Sequence, residues 1–367
     1  MGLKCGIVGL PNVGKSTIFN ALTKSHAAEA ANYPFCTIDP NVGVVEVPDE
    51  RFDKICELVK PQRRVPAVVE FVDIAGLVKG ASKGEGLGNA FLSHIRQVDA
   101  LLHIVRCFHD DKISHVSGQL SPKEDVETIE LELILADLEV VQRKLENLAK
   151  KRKGGDKKAL EQTLVLEKIH HTLEQGKPAR NINLADEEKE SIKELSLLSL
   201  KPVLFVGNVD EAYVTRAEES PLYQELLTQA KTRGSPCLAI CGKLEAELAV
   251  MPKEEMESFL QEYGLKEAGL NQVIREAYRL LGYITFFTAG ENEVRAWNIL
   301  KNTKAPQAAG EIHSDMERGF IRAEVTSYDD FIACGSLKKA QEMGKMRLEG
   351  KDYIMADGDI VYFRFAV

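Results

Sequence analysis

The stretch Gly9-Leu-Pro-Asn12-Val-Gly14-Lys15-Ser16-Thr17 decides the fold, because it follows an apolar run and precedes a helical pattern. It has the P-loop pattern G-x-x-x-x-G-K-[ST] in the strand-to-helix context that gives the pattern meaning. The glycines let backbone N–H groups point at phosphate oxygens, Lys15 adds a cation for the β- and γ-phosphates, and the Ser16 hydroxyl can ligate Mg²⁺. We therefore predict that the chain binds a nucleoside triphosphate through six residues of this loop: Asn12, Val13, Gly14, Lys15, Ser16 and Thr17.

The composition narrows the class of protein. The chain has 367 residues, 44% hydrophobic and 28% charged, which is ordinary for a globular protein of two or three domains. No apolar run reaches membrane-spanning length and no signal peptide is recognisable, so we expect a cytoplasmic protein without membrane contact. The seven cysteines form no CxxC pair, which argues against a zinc site or a disulfide framework. The net charge of −9 argues against a general nucleic-acid coat.

Strand-like runs alternate with helical stretches over much of the chain. The runs are Val42–Val47, Val68–Asp73, Ala100–Cys107, Val203–Gly207 and Cys237–Cys241. This alternation predicts an α/β fold with a doubly wound, mostly parallel sheet. We assign residues 1–124 and 201–281 to the two parts of this P-loop NTPase domain.

Residues 125–200, between those two parts, predict an inserted helical domain. Five apolar residues follow the 4-3-4-3 spacing of a coiled-coil seam: Ile134, Leu138, Val141, Leu145 and Leu148. A return stripe predicts an antiparallel hairpin: Ala159, Leu166, Ile169 and Leu173. We expect a third helix at Asp186–Leu198. The basic tip of the hairpin, residues 150–158, is either a solvated turn or a contact for RNA or an acidic protein.

Residues 282–367 predict a separate α+β module. Tyr283–Thr288, Phe320–Val325 and Ile360–Phe365 have the composition of strands, and we expect a short helix at Glu293–Leu300. The module carries no cluster of potential catalytic groups. A binding module is therefore the favoured interpretation.

Two segments after the P-loop predict a γ-phosphate frame. Thr37 is placed where P-loop switch proteins supply a hydroxyl to Mg²⁺. Asp73 ends an apolar strand and begins the motif D-x-x-G, so it can hold Mg²⁺ through water while the Gly76 N–H contacts the γ-phosphate. Leu77 stands where Ras-like enzymes carry a water-orienting Gln. Because an apolar side chain cannot position water, hydrolysis must be slow, use another group, or both.

The guanine-reading motif N-K-x-D is altered in this chain. The matching residues are Asn208-Val209-Asp210-Glu211, so Val209 replaces the Lys and Glu211 occupies the Asp position. The Asp of the usual motif accepts from the N1 proton and the 2-amino group of guanine, and adenine has neither. Changing this residue therefore weakens discrimination in favour of guanine. We predict that Asn208, Val209 and Glu211 face the base, with Asn208 able to bond the adenine edge.

With these motifs the chain resembles the YchF-type Obg-like ATPases over essentially its whole length. The resemblance rests on Gly9–Thr17, Tyr33–Thr37, Asp73–Leu77, the Asn208–Glu211 variant, the helical insertion, and a C-terminal module that looks like a TGS domain of β-grasp fold. It implies a GTPase-like fold that prefers ATP, hydrolyses it slowly and associates with ribosomes, with rRNA as one contact to consider. We expect a monomer.

The same resemblance implies the catalytic residues. They are His115, Lys15, Gly76 and Leu77. In the family a His of the matching loop is assigned a catalytic function, which makes His115 a candidate to orient water when its loop closes. A lone His near loop glycines is otherwise structural or solvent-facing, so both interpretations of His115 stay open. Asn12 is a candidate to help hold K⁺ near the phosphates.

Three functions fit the sequence. The first is an ATPase switch that docks through the C-terminal module and the helical hairpin. The second is a GTPase translation factor that reads guanine through Glu211. The third is a non-hydrolysing scaffold that uses nucleotide only to order its domains.

Overall fold

A computed structural model describes residues 4–25, 27, 41–74, 87–110, 120–152 and 157–366, without the side chains of 87–90, 150–152 and 253. The strands of this part are β1 Lys4–Val8, β2 Val42–Glu46, β3 Arg63–Val65, β4 Val68–Asp73, β5 Ala100–Cys107, β6 Val203–Val209, β7 Cys237–Ile240, β8 Tyr283–Ala289, β9 Glu293–Leu300, β10 Phe320–Thr326, β11 Arg347–Glu349 and β12 Ile360–Phe365. The helices are α1 Lys15–Ser25, α2 Glu50–Val59, α3 Leu87–Arg96, α4 Pro122–Arg152, α5 Lys157–Glu174, α6 Asp186–Ile192, α7 Pro221–Thr232, α8 Gly242–Leu248, α9 Lys253–Glu262, α10 Gly269–Leu280, α11 Ala305–Ile312, α12 Ser314–Arg318, α13 Tyr328–Cys334 and α14 Leu337–Glu342.

The described residues divide into two compact units. The first takes its residues from Met1–Ser25, Ile38–Gly43 and Glu70–Ala277, and the second from His26–Thr37, Val44–Val69 and Tyr278–Val367. The boundaries at 124, 200 and 281 stay predictions. None of the described helices is both long enough and apolar enough to span a membrane.

A six-stranded sheet has the order β2-β4-β1-β5-β6-β7, and its strands β1, β5, β6 and β7 lie wholly within the first unit. β1 runs parallel to β4 and β5, and β5, β6 and β7 are parallel in turn. Every residue of β5 and β6 is buried, as expected for central strands of a parallel sheet with both faces covered. The predicted α/β class is confirmed, and the carboxyl ends of β1, β4, β6 and β7 lie along one edge of the sheet.

The inserted segment folds as two long helices that pack on each other. Three seam residues of α4 and all four stripe residues of α5 belong to one buried hydrophobic cluster, and the other two seam residues, Leu138 and Leu145, pack against it. The hairpin prediction is confirmed in that respect, and supercoiling stays a prediction. The third helix is shorter than predicted, because α6 ends at Ile192 and a 3₁₀ turn, Lys193–Leu195, leads to Ser196 with φ 45°. A non-glycine residue in this left-handed region does not continue a right-handed helix.

The second unit is built on a mixed sheet of order β11-β10-β12-β8-β9-β3. β12 lies antiparallel to β10 and parallel to β8, and β8 pairs antiparallel with β9. Phe286, Val325 and Phe363 belong to the core on which α11 packs. The TGS assignment and its β-grasp name stay predictions.

The predicted short helix at Glu293–Leu300 is wrong, because this segment is strand β9. It pairs with β8 from Tyr283↔Leu300 to Ala289↔Val294, and its other edge pairs with β3. Val294 and Ala296 alternate with less buried neighbours, a period of two that fits a sheet. Tertiary pairing on both edges therefore decided the conformation, as is common for short segments of mixed propensity.

Candidate nucleotide-binding site

The loop after β1 curls because three of its residues adopt left-handed or related backbone angles. Gly9 has φ 157°, Asn12 φ 64° and Gly14 φ 98°. A Cβ on Gly9 would lie 2.5 Å from the Ile104 carbonyl oxygen, and one on Gly14 would lie 2.4 Å from Nδ2 of Asn208. Glycine is therefore required at both positions, by backbone angle and by space.

Helix α1 begins directly at the end of this loop, at Lys15. The N–H groups of its first turn have no carbonyl partner within the helix, and the helix dipole adds positive potential there. Ser16 and Thr17 are exposed at this end. The predicted phosphate-binding residues are therefore assembled around one anion-binding helix terminus.

Lys15 is buried, and its Nζ donates to the Leu10 carbonyl oxygen at 2.7 Å. Burial lowers the pKa of Lys15, and the nearby Asp73 carboxylate opposes that change. Burial likewise raises the pKa of Asp73, and the Lys15 ammonium opposes it. The structure thus brings these two predicted residues close enough for each to act on the other's charge.

Asp73 sits at the carboxyl end of β4, opposite Ile7 of β1. Its backbone N–H donates to the Asn41 carbonyl oxygen at 2.8 Å. Its Oδ1 is buried without a hydrogen-bond partner among the described residues, which is costly unless a ligand supplies one. A carboxylate oxygen and the Ser16 hydroxyl are hard oxygen donors, so these residues fit Mg²⁺ bound together with phosphates.

Four predicted site residues lie outside the described part of the chain. They are Thr37, Gly76, Leu77 and His115. Their functions stay predictions. Among the described residues no three His, Cys, Asp or Glu side chains cluster to form a metal cage of their own.

Asn208 is the last residue but one of β6, and its side chain bonds to the P-loop and to the first residue of α8. Its Nδ2 donates to the Val13 carbonyl oxygen at 3.0 Å, and its Oδ1 accepts from the Gly242 N–H at 2.8 Å. The predicted base contact would have to use the remaining hydrogen-bonding capacity of this buried amide. Asn208 is therefore a positioning residue that connects the P-loop to the start of α8.

The other two predicted base-facing residues differ in their surroundings. Val209 is buried in β6 opposite Cys107, so only its backbone can face a base. Glu211 begins a 3₁₀ turn after β6. One oxygen of its carboxylate accepts from the hydroxyl of Tyr263, and the other lies 3.2 Å from Nζ of Lys243.

Sequence reasoning missed Tyr263 as a neighbour of this site. The residue lies 52 positions after Glu211 and caps the end of α9, and no motif surrounds it. A signal for Tyr263 would have required knowledge of how α9 packs on α8.

Comparison with known proteins covers both units. The family model described as "50S ribosome-binding GTPase" matches residues 4–154, and the model YchF-GTPase_C, described as "Protein of unknown function (DUF933)", matches residues 283–366. The "Ribosome-binding ATPase YchF" of Bacillus subtilis (strain 168) is 53% identical over 367 residues, and that of Escherichia coli O157:H7 is 54% identical over 367 residues, with 100% of each chain covered.

Solved structures agree with these sequence matches. The Schizosaccharomyces pombe YchF GTPase superposes with a TM-score of 0.89 at 40% identity, covering 99% of this chain and 98% of the other. A GTP-binding protein from Pyrococcus horikoshii OT3 shares the fold, with a TM-score of 0.64 at 18% identity, covering 99% of this chain and 100% of the other.

Fold and site together define a P-loop nucleotide-binding protein of the GTPase-like α/β class. The chain is more than 50% identical to the Bacillus subtilis and Escherichia coli proteins over their full length, which narrows the class to one family. The chain belongs to the YchF family.

Proposed function

We propose that the protein is a ribosome-associated ATPase that binds ATP in preference to GTP and hydrolyses it slowly, as a nucleotide-dependent switch in translation or stress regulation. The observation that carries the nucleotide assignment is the combination of two features: Lys15 lies near Asp73 at the P-loop, and the Glu211 carboxylate already accepts from Tyr263 and Lys243. The bacterial relatives are named as ribosome-binding ATPases, which supports the same assignment.

In this proposal each of the predicted site residues has its own function. The N–H groups at the start of α1 and the Lys15 ammonium bind the phosphates, while Ser16, Asp73 and Thr37 hold Mg²⁺. When bound, Mg²⁺ supplies positive charge that stabilises the phosphate oxygens. Leu77 leaves the water without its usual Gln, so turnover is slow, and His115 is the candidate to orient the water. Asn12 is the candidate residue for helping to hold K⁺ near the phosphates.

The ribosome is the proposed partner, supported by the names of the relatives and of the family model that matches residues 4–154. A ribosomal partner, through protein or rRNA, implies a cytoplasmic location. The C-terminal unit and the helical insertion are the proposed docking elements. The monomeric state stays a prediction.

A binding comparison tests the function. We expect ATP to bind about tenfold or more tighter than GTP at equal Mg²⁺, because the guanine reader is altered. Lys15→Ala should lower ATP turnover by about a hundredfold or more. Lys24→Ala, an exposed lysine of the same helix, is the matched control and should leave turnover unchanged.

Two results would contradict this function. A clear preference for GTP in calorimetry would favour the GTPase translation factor. Wild-type turnover equal to that of Lys15→Ala would favour the non-hydrolysing scaffold.

A further inference from the structure

The Glu211 carboxylate is held by side chains from two other elements of the first unit. Tyr263, at the end of α9, donates its hydroxyl to Oε1. Lys243, in α8, places its Nζ 3.2 Å from Oε2. Both oxygens at the position where GTPases read guanine therefore already accept from protein donors.

Tyr263 is anchored well enough to hold the carboxylate. Its ring packs against that of Phe259 with centroids 4.7 Å apart, and its N–H donates to the Phe259 carbonyl oxygen at 3.1 Å. It also packs against the buried cluster formed by Cys241, Leu244, Leu248 and Leu260. The hydroxyl is thus fixed by a small hydrophobic core that includes the first turn of α8.

The protonation states keep this hydrogen bond in place at neutral pH. The Tyr263 hydroxyl, followed by Lys243, lowers the pKa of Glu211, and the Glu211 carboxylate raises the pKa of Tyr263 to about 12. Glu211 is therefore ionised, and Tyr263 keeps the proton that it donates. The Lys243 side chain is 73% exposed, so its ion pair is the weaker of the two restraints.

We propose that Tyr263 is a specificity-determining positioning residue, which keeps the Glu211 carboxylate turned toward α9 and so excludes guanine from the base site. Guanine presents two parallel donors, its N1–H and its 2-amino group, and a carboxylate must offer both oxygens in one plane to accept them. Rotating Glu211 into that plane breaks its bond to Tyr263. Adenine has neither donor, so its binding does not suffer when Glu211 is held in this orientation.

This inference rests on the proposed preference for ATP, and Tyr263→Phe tests it. The substitution removes only the hydroxyl. We expect GTP to bind about three- to tenfold tighter than to the wild type, the range of one hydrogen bond to a charged group at a partly exposed site, while ATP affinity changes less than about twofold. Tyr362→Phe, an exposed tyrosine of the second unit, is the matched control and should change neither affinity.

Two further variants separate positioning from a general structural effect. In a Glu211→Ala background, Tyr263→Phe should leave GTP affinity unchanged, because the acceptor is gone. Lys243→Met releases the other oxygen and should shift selectivity in the same direction by a smaller factor. Thermal unfolding of each variant confirms that it folds.

The possible outcomes are distinct. Equal weakening of ATP and GTP by Tyr263→Phe, weaker GTP binding, or unchanged GTP binding would each overturn the positioning function while leaving the ATPase assignment intact. A wild-type protein that prefers GTP would instead overturn the proposed function itself.

Discussion

At the residue scale, the Asn208 amide connects two loops of the nucleotide site. Replacing it by alanine leaves the Val13 carbonyl and the Gly242 N–H without the partner that each has in the folded protein. Because the group is buried, we expect Asn208→Ala to lower the free energy of unfolding by about 2–3 kcal/mol. ATP affinity should fall with it, since the P-loop loses its restraint.

Urea unfolding measures the first effect and calorimetry the second. Asn20→Ala, at an exposed position of α1, is the matched control and should stay within about 0.5 kcal/mol of the wild type. If Asn208→Ala unfolds at the wild-type urea concentration, the tie between the two loops contributes nothing to stability.

The contrast between Asp73 and Tyr263 shows what the sequence can predict at this scale. Lys15, Ser16 and Asp73 were predictable because phosphate chemistry requires these residue types at strand ends in a set order. Tyr263 was not, because its contact with Glu211 depends on the packing of α9 and on no local pattern. Asn208 was recognised, but its bonds to Val13 and Gly242 require the register of β6.

At the element scale, a buried carboxylate stabilises the start of α10. Glu245 is 1% exposed and accepts from the N–H groups of Gly269 at 2.8 Å and Leu270 at 3.2 Å. Burial raises its pKa from 4.5 to about 7, against the effect of those two bonds. The folded state therefore holds the Glu245 proton more tightly than the unfolded state does. The stability linked to that proton is fully present below pH 4.5 and is lost as pH rises through about 7.

Glu245→Gln removes this titration and keeps an acceptor of similar size. We expect the wild type to lose about 3 kcal/mol of unfolding free energy relative to this variant between pH 4.5 and pH 8, as the pKa difference implies. Urea unfolding at several pH values gives the difference. Glu247→Gln, an exposed residue of the same helix, should show no such trend. A pH-independent difference between wild type and Glu245→Gln would refute the linkage.

The elements themselves were predicted unevenly. The buried runs of β5 and β6 and the long helices α4 and α5 follow from their composition, because burial on all sides or on one stripe leaves a strong pattern. The segment of β9 mixes apolar, charged and amide side chains, and its conformation depends on β8 and β3, which pair with its two edges. Local pattern alone could not reveal those partners.

At the scale of the whole molecule, the chain composes its second unit from separated segments. Residues 44–69 group with 278–366, although they lie within the range predicted for the nucleotide domain. Strand β3 pairs with β9, and Phe52 of α2 stacks on Phe287 at 6.4 Å. The Arg51 guanidinium lies 3.0 Å from the Asp357 carboxylate. Domain boundaries taken from changes of composition along the chain assume that each domain is one continuous segment. They therefore miss a unit that is assembled from separated segments.

This arrangement predicts that residues 278–367 alone are an incomplete folding unit. Without 44–69, the fully buried ring of Phe287 loses the aromatic side chain stacked on it, and β9 becomes an unpaired edge that favours aggregation. A chain in which 44–69 is joined to 278–367 by a Gly/Ser linker should therefore melt at a clearly higher temperature than 278–367 alone.

In the joined chain, Phe52→Ala should lower the free energy of unfolding by about 3 kcal/mol or more, because it empties a buried aromatic site. Leu58→Ala, at a residue of the same helix that is 44% exposed, is the control and should have a much smaller effect. Equal melting temperatures for the two chains would mean that 44–69 adds no stability, and the boundary near 281 would then mark a self-sufficient module.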